Sequence, residues 1–131
     1  MEIHHIGYLT KNTKEGVHQF RNLGFAVETP TLLDEIRKIN ITFMINDGYR
    51  VEIIEPINEE SLFWGLLKKY KNTPYHVCYL TENIEKEIIV LQEEGYLVIQ
   101  EPKPAPCIRN QRVAFLIHKD MGIIELLEEK K

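Results

Sequence analysis

Apolar and polar positions along this chain follow one order that is run through twice. Ile3 to Leu9 is apolar, rich in β-branched and aromatic residues, and stops at Lys11-Asn12, which reads as a strand. Val17, Phe20 and Leu23 then recur near helical spacing behind Asn12, which can form a capping box with Glu15, and Gly24 supplies a left-handed stop. These signals predict a helix of about three turns. Phe25 to Glu28 reads as a short strand and Thr29 to Arg37 as an irregular stretch containing Pro30. Lys38 to Asn46 reads as a strand that turns at Asp47-Gly48 into Tyr49 to Glu55. From Tyr75 the order returns: strand Tyr75 to Thr81, helix Asn83 to Glu94 stopped by Gly95, strand Tyr96 to Gln100, a Pro-rich loop, and a hairpin of Arg112 to His118 with Met121 to Leu127. Ser61 to Tyr70, with Leu62, Phe63, Trp64, Leu66 and Leu67 ahead of Lys68-Lys69, predicts an amphipathic helix bridging the two runs.

The return is literal at several places. His5-Ile6-Gly7-Tyr8-Leu9-Thr10-Lys11-Asn12 is echoed by His76-Val77-Cys78-Tyr79-Leu80-Thr81-Glu82-Asn83, and Val51-Glu52-Ile53-Ile54-Glu55 by Ile124-Glu125-Leu126-Leu127-Glu128. The fold class is therefore α+β, built from two βαβββ modules at 1–57 and 74–131 with a bridging helix in 58–73. Each module has a sheet face that its single helix cannot cover, so the uncovered faces are expected to meet within one domain spanning 1–131.

Composition narrows the classes. A chain of 131 residues with 44% apolar content can bury one ordinary core. The formal net charge of −4, with basic residues scattered, gives no footprint for a nucleic-acid backbone. Neither a signal pattern nor an apolar run near the ~18 residues of a spanning helix is present, so the expected setting is cytoplasmic, without a membrane partner. Cys78 and Cys107 are too few for a disulfide framework and are expected to be reduced.

Strand alternation decides which side chains share a face. His5, Gly7 and Leu9 go together, as do His76, Cys78 and Leu80, Glu52 and Ile54, and Glu125 and Leu127. A single histidine in a strand is ordinarily a satisfied core group. Two histidines and two glutamates in the same register of a repeat are different, because a carboxylate among Val51, Ile53 and Ile54 costs several kcal/mol to desolvate unless a cation answers it. His5, Glu52, His76 and Glu125 suit one divalent ion, Zn²⁺, Ni²⁺, Co²⁺, Fe²⁺ or Mn²⁺, with room left for substrate. Glu55 and Glu128 also match each other, but lie at strand ends and read as solvated or capping. Cys78 reads as a packed thiol, and His4, His18 and His118 as surface or packing residues.

The paired modules, the HHIGY and YHVCY strand starts, VEIIEP and the terminal GIIELLE resemble the vicinal-oxygen-chelate superfamily, which includes glyoxalases, methylmalonyl-CoA epimerases, extradiol dioxygenases and antibiotic-resistance proteins. In the bridging helix, Tyr75-His76-Val77-Cys78 and the Pro102 to Arg112 loop, the chain is most similar to the methylmalonyl-CoA epimerase branch. The resemblance implies a curved eight-stranded open sheet or half-barrel, the glyoxalase-like fold. It also implies that His5, Glu52, His76 and Glu125 are the metal ligands, that Glu125 is the general base with Glu52 beside it in catalysis, and that an enolate or enediolate is stabilised next to a thioester or hemithioacetal carbonyl. The epimerase branch carries a second catalytic glutamate on its third strand. Counting back from Asp47-Gly48, that place falls near Arg37-Lys38, with Asp34 and Glu35 close by. Arg37 reads instead as an anchor for a substrate carboxylate or phosphate, as do Arg109 and Arg112. Three functions stay open: an epimerase-like isomerase, a glyoxalase I type lactoylglutathione lyase, and a non-catalytic module that binds a small molecule such as an antibiotic. A homodimer is expected by resemblance, with Leu62-Phe63-Trp64 as its candidate contact.

Overall fold

The computed structural model describes residues 1–130. Its elements are β1 (Ile3–Leu9), α1 (Thr13–Asn22), β2 (Ala26–Asp34), β3 (Ile39–Asn46), β4 (Tyr49–Pro56), α2 (Trp64–Tyr70), β5 (Thr73–Thr81), α3 (Ile84–Glu93), β6 (Leu97–Ala105), β7 (Gln111–His118) and β8 (Gly122–Glu128), with a short 3₁₀ turn at Pro106–Ile108. Two compact units divide the chain, one Ile6–Tyr75 and the other Met1–His5 with the chain from His76 on. The division falls inside β1 and at His76 in β5, not at the ends of the bridging segment. The start of β1 belongs with the second unit because it pairs with β5, as in the 2.8 Å hydrogen bond from Leu80 N to Glu2 O.

Within the first unit the hydrogen-bonded strand order is β2-β3-β4-β1, and within the second it is β1-β5-β8-β7-β6. β1 runs parallel to β4 and β5 parallel to β8, while every hairpin pair is antiparallel. One face of each sheet is covered by its helix. Val17 and Phe20 of α1 pack on Met44, Val51 and Ile53, and Ile84 and Ile88 of α3 pack on Ala114, Leu116, Ile124 and Leu126. Alternation then turns Glu52 and Glu125, one residue out of step with these, to the face opposite the helices.

Both helices are tied down in the same way at both ends. The Asn12 side chain accepts from Glu15 N at 3.1 Å and Asn83 from Lys86 N at 3.0 Å, which satisfies first-turn donors. Glu55 accepts from Thr13 N and Glu128 from Ile84 N, each at 3.1 Å, so the matched strand-end glutamates are helix caps. At the other end Gly24 and Gly95 adopt φ of +96° and +98°. Asn46 Nδ2 donates to Leu23 O, and the His118 ring meets Glu94 O at 3.1 Å.

Three expectations change. β2 and β6 run on to Asp34 and Ala105, through Pro30, Pro102 and Pro104, where a loop was expected. Both are edge strands with register shifts, the setting in which a residue without an N–H is tolerated. α2 starts only at Trp64, behind a turn in which Trp64 N donates to Ser61 O. Phe63 is fully buried with its ring 5.1 Å from that of Tyr75, so it is core and not part of an exposed dimer contact. Among the described residues no helix is long and apolar enough to cross a membrane.

Glu128 carries a testable consequence. Burial pushes its carboxyl up, but the Ile84 N–H and then the Arg112 guanidinium at 2.9 Å outweigh this and hold it below its ordinary value. A depressed folded-state value contributes stability above the unfolded carboxylate range, and that contribution is lost as pH falls through the folded value. Glu128→Gln is expected to cost about 1–3 kcal/mol at pH 7. The gap from wild type, measured by urea unfolding at successive pH values, should close in acid; a gap independent of pH contradicts the assignment.

Candidate metal centre

β1, β5 and β8 lie side by side in the second unit, and one residue from each meets the others. His5 Nε2 is 3.1 Å from His76 Nε2, and Glu125 Oε1 is 2.9 Å from the first and 3.0 Å from the second. All three residues are within 3% of complete burial. Oε1 sits this close to both nitrogens and yet makes no directed hydrogen bond. Three polar side-chain atoms thus converge on one buried point. Atoms bonded to one ion at about 2.0–2.2 Å, at right angles, lie about 2.8–3.1 Å apart. The triangle of 2.9, 3.0 and 3.1 Å lies within that range, so these residues fit a divalent cation.

The electrostatics agree. Burial alone pushes the Glu125 carboxyl up, but the His5 imidazole and then that of His76 more than offset it, leaving the group well below the usual carboxylate range and ionised. Its surroundings are dry on one side and small on the other. Phe115 lies directly across from Glu125 on β7 and places its ring 5.5 Å from that of His76, while Cys78 lies across from it on β5. In the first unit, Glu52 has the same neighbours in kind: Phe43 across on β3 and Gly7 across on β1. Glu52 is itself buried, at 3% exposure. The two phenylalanines were missed in the sequence. The signal was there, since Phe43-Met44-Ile45 and Phe115-Leu116-Ile117 precede the two hairpins in the same way.

The arginines are placed elsewhere. Arg37 is buried and donates to Asp34 at 2.8 Å, in the turn between β2 and β3. Arg112 forks onto Glu85 at 2.6 and 3.0 Å and onto Glu128 at 2.9 Å, on the helix-covered face. Both engage the protein's own carboxylates. Arg109 is exposed, in left-handed backbone at φ +53° after the 3₁₀ turn. No ionisable residue lies on β3, whose sequence is INITFMIN, and Lys38 before it is in left-handed backbone at φ +56°. The third-strand glutamate of the epimerase branch has no counterpart on this strand.

Comparison with known proteins bears on what this geometry serves. The ethylmalonyl-CoA/methylmalonyl-CoA epimerase of Cereibacter sphaeroides is 27% identical over 129 residues, covering 95% of each chain. A crystal structure of a hypothetical protein from Bacillus halodurans superposes with a TM-score of 0.85 at 24% identity, covering 99% of this chain and 95% of that one. A variant of Streptomyces coelicolor methylmalonyl-CoA epimerase in complex with 2-nitronate-propionyl-CoA superposes with a TM-score of 0.83 at 23% identity, covering 98% and 94%. These likenesses establish the fold as the one seen in the epimerase structures. Residues 4–115 match the sequence profile of the Glyoxalase/Bleomycin resistance protein/Dioxygenase superfamily, and the chain belongs to that superfamily.

Proposed function

We propose that this chain is a metal-dependent isomerase that moves a proton next to the carbonyl of an acyl-CoA thioester, in the manner of a methylmalonyl-CoA epimerase. The observation that carries the reading is the triangle of His5 Nε2, His76 Nε2 and Glu125 Oε1, with edges of 2.9 to 3.1 Å in a buried setting. Glu52 is the fourth ligand in this proposal. It is supported by the register, because Glu52 faces a phenylalanine and a small residue in its unit as Glu125 does in the other. It is also supported by alternation along β1, which puts His5 on the same face as Gly7, the partner of Glu52.

A divalent ion held by these residues would supply Lewis acidity toward a substrate oxygen, which lowers the pKa of the neighbouring carbon acid. The chain's own groups do the rest. His5 and His76 would hold the ion through Nε2 and so set where a substrate oxygen can bind. Glu125, kept ionised by the two imidazoles, is in the protonation state that a general base needs and takes the α-proton. Phe115 keeps water from that carboxylate. Relatives named as acting on ethylmalonyl- and methylmalonyl-CoA, and a structural neighbour holding a CoA ligand, favour the thioester as substrate.

A glyoxalase I type reaction on a hemithioacetal is the second reading, favoured by one observation: β3 carries no second acid or base. A proton moved between adjacent carbons needs only one carboxylate, whereas inversion at a carbon ordinarily uses two. The third-strand vacancy of charge is filled by Ile39, Ile41 and Phe43 on the face of Glu52.

Titration of metal-free protein with Co²⁺ is expected to reach one ion per chain, and His76→Ala to weaken binding by more than about 100-fold. Uptake that His76→Ala leaves unchanged removes the centre. Deuterium from solvent should enter the α-carbon of methylmalonyl-CoA in the metal-loaded enzyme, and Glu125→Gln should slow this by about 10²–10⁴-fold. Hemithioacetal turnover with no exchange into methylmalonyl-CoA would establish the lyase instead.

A further inference from the structure

The two nitrogens of the His5 ring have different company. Nε2 faces His76 and Glu125, while Nδ1 lies 2.8 Å from Nδ1 of His4, with the two rings at 78° and their centroids 5.1 Å apart. An imidazole that gives its Nε2 lone pair to a cation carries its proton on Nδ1, and that N–H requires an acceptor. His4 supplies one when its own proton is on Nε2. Cys78 Sγ also lies within 4.8 Å of a ring nitrogen of each residue, but a thiol is a weak acceptor. The repeat does not duplicate the device: Tyr75, not a histidine, precedes His76. His4 is thus a departure from internal symmetry located at one ligand.

We infer that His4 is a positioning residue that accepts the Nδ1 proton of His5, and so holds the ring in the tautomer and orientation whose Nε2 serves the cluster. The inference rests on the metal-centre reading above. Partners of this kind around a ligating imidazole typically change metal affinity by about 10–100-fold when removed. Purely structural loss at a half-buried strand residue would instead lower stability and leave affinity alone.

The test compares Zn²⁺ affinity, by competition with a chromophoric chelator, for wild type, His4→Leu and His4→Asn. It also measures the ¹⁵N spectrum of the histidine rings with and without Zn²⁺. The asparagine carbonyl can stand where the His4 nitrogen accepts. His4→Leu is expected to bind Zn²⁺ about 10–100-fold more weakly with its metal-free melting temperature near that of wild type, and His4→Asn to recover most of the loss. The wild-type spectrum is expected to show scalar coupling between the two Nδ1 atoms across the hydrogen bond. Equal affinity in wild type and His4→Leu overturns the inference, as does a Zn²⁺-loaded spectrum with no proton on His5 Nδ1. If His4→Leu does not fold, the coupling in wild type decides. If wild type takes up no Zn²⁺, the metal-centre reading falls, and the coupling in metal-free protein alone decides whether His4 holds the His5 ring.

Discussion

A carboxylate sealed from water must be answered by positive charge, and Glu125 makes that demand of everything around it. Removing an ionised group from solvent costs several kcal/mol. Here the charge sits on a strand with Ile124, Leu126 and Leu127 for neighbours and an aromatic ring across from it. Two imidazoles at 2.9 and 3.0 Å join the carboxylate in a donor set suited to a divalent ion, which would supply that charge. Such a set could not be assembled from one stretch of sequence, since its members come from β1, β5 and β8.

The duplicated module explains how the demand arises without destroying the fold. In each unit a helix is pinned to one sheet face by the same devices: an asparagine at the start, a strand-end glutamate on the first-turn N–H, and a left-handed glycine at the end. The helix takes the apolar set from one alternation of the strands, and the glutamate falls in the other alternation. A small residue on one side and a phenylalanine on the other, Gly7 and Phe43 or Cys78 and Phe115, complete each copy. Repetition of a structural pattern thereby becomes repetition of candidate ligand positions.

Much of this was legible along the chain, because strand alternation and helix caps are local. The spacing of the repeat singled out His5, Glu52, His76 and Glu125 as candidates, and the caps placed α1 and α3. What was misread depended on neighbours in space. Pro30, Pro102 and Pro104 looked like loop residues, yet edge strands need no inward N–H from them. The ion pairs of Arg37 and Arg112 were not legible either, because Asp34, Glu85 and Glu128 converge on them from turns, strands and a helix whose approach periodicity cannot show. Phe63 read as an exposed helix face and is core. His4 read as a surface residue because it has no partner in the repeat, and its significance is visible only beside the His5 ring.

The central claim is that His5, His76 and Glu125 are arranged around a cation and not around each other. Anomalous diffraction from crystals of the Co²⁺-loaded protein, recorded at the cobalt edge, tests it directly. The account predicts one peak per chain within bonding distance of His5 Nε2, His76 Nε2 and Glu125 Oε1. A peak elsewhere, with the two imidazoles and the carboxylate joined by direct hydrogen bonds, would contradict it.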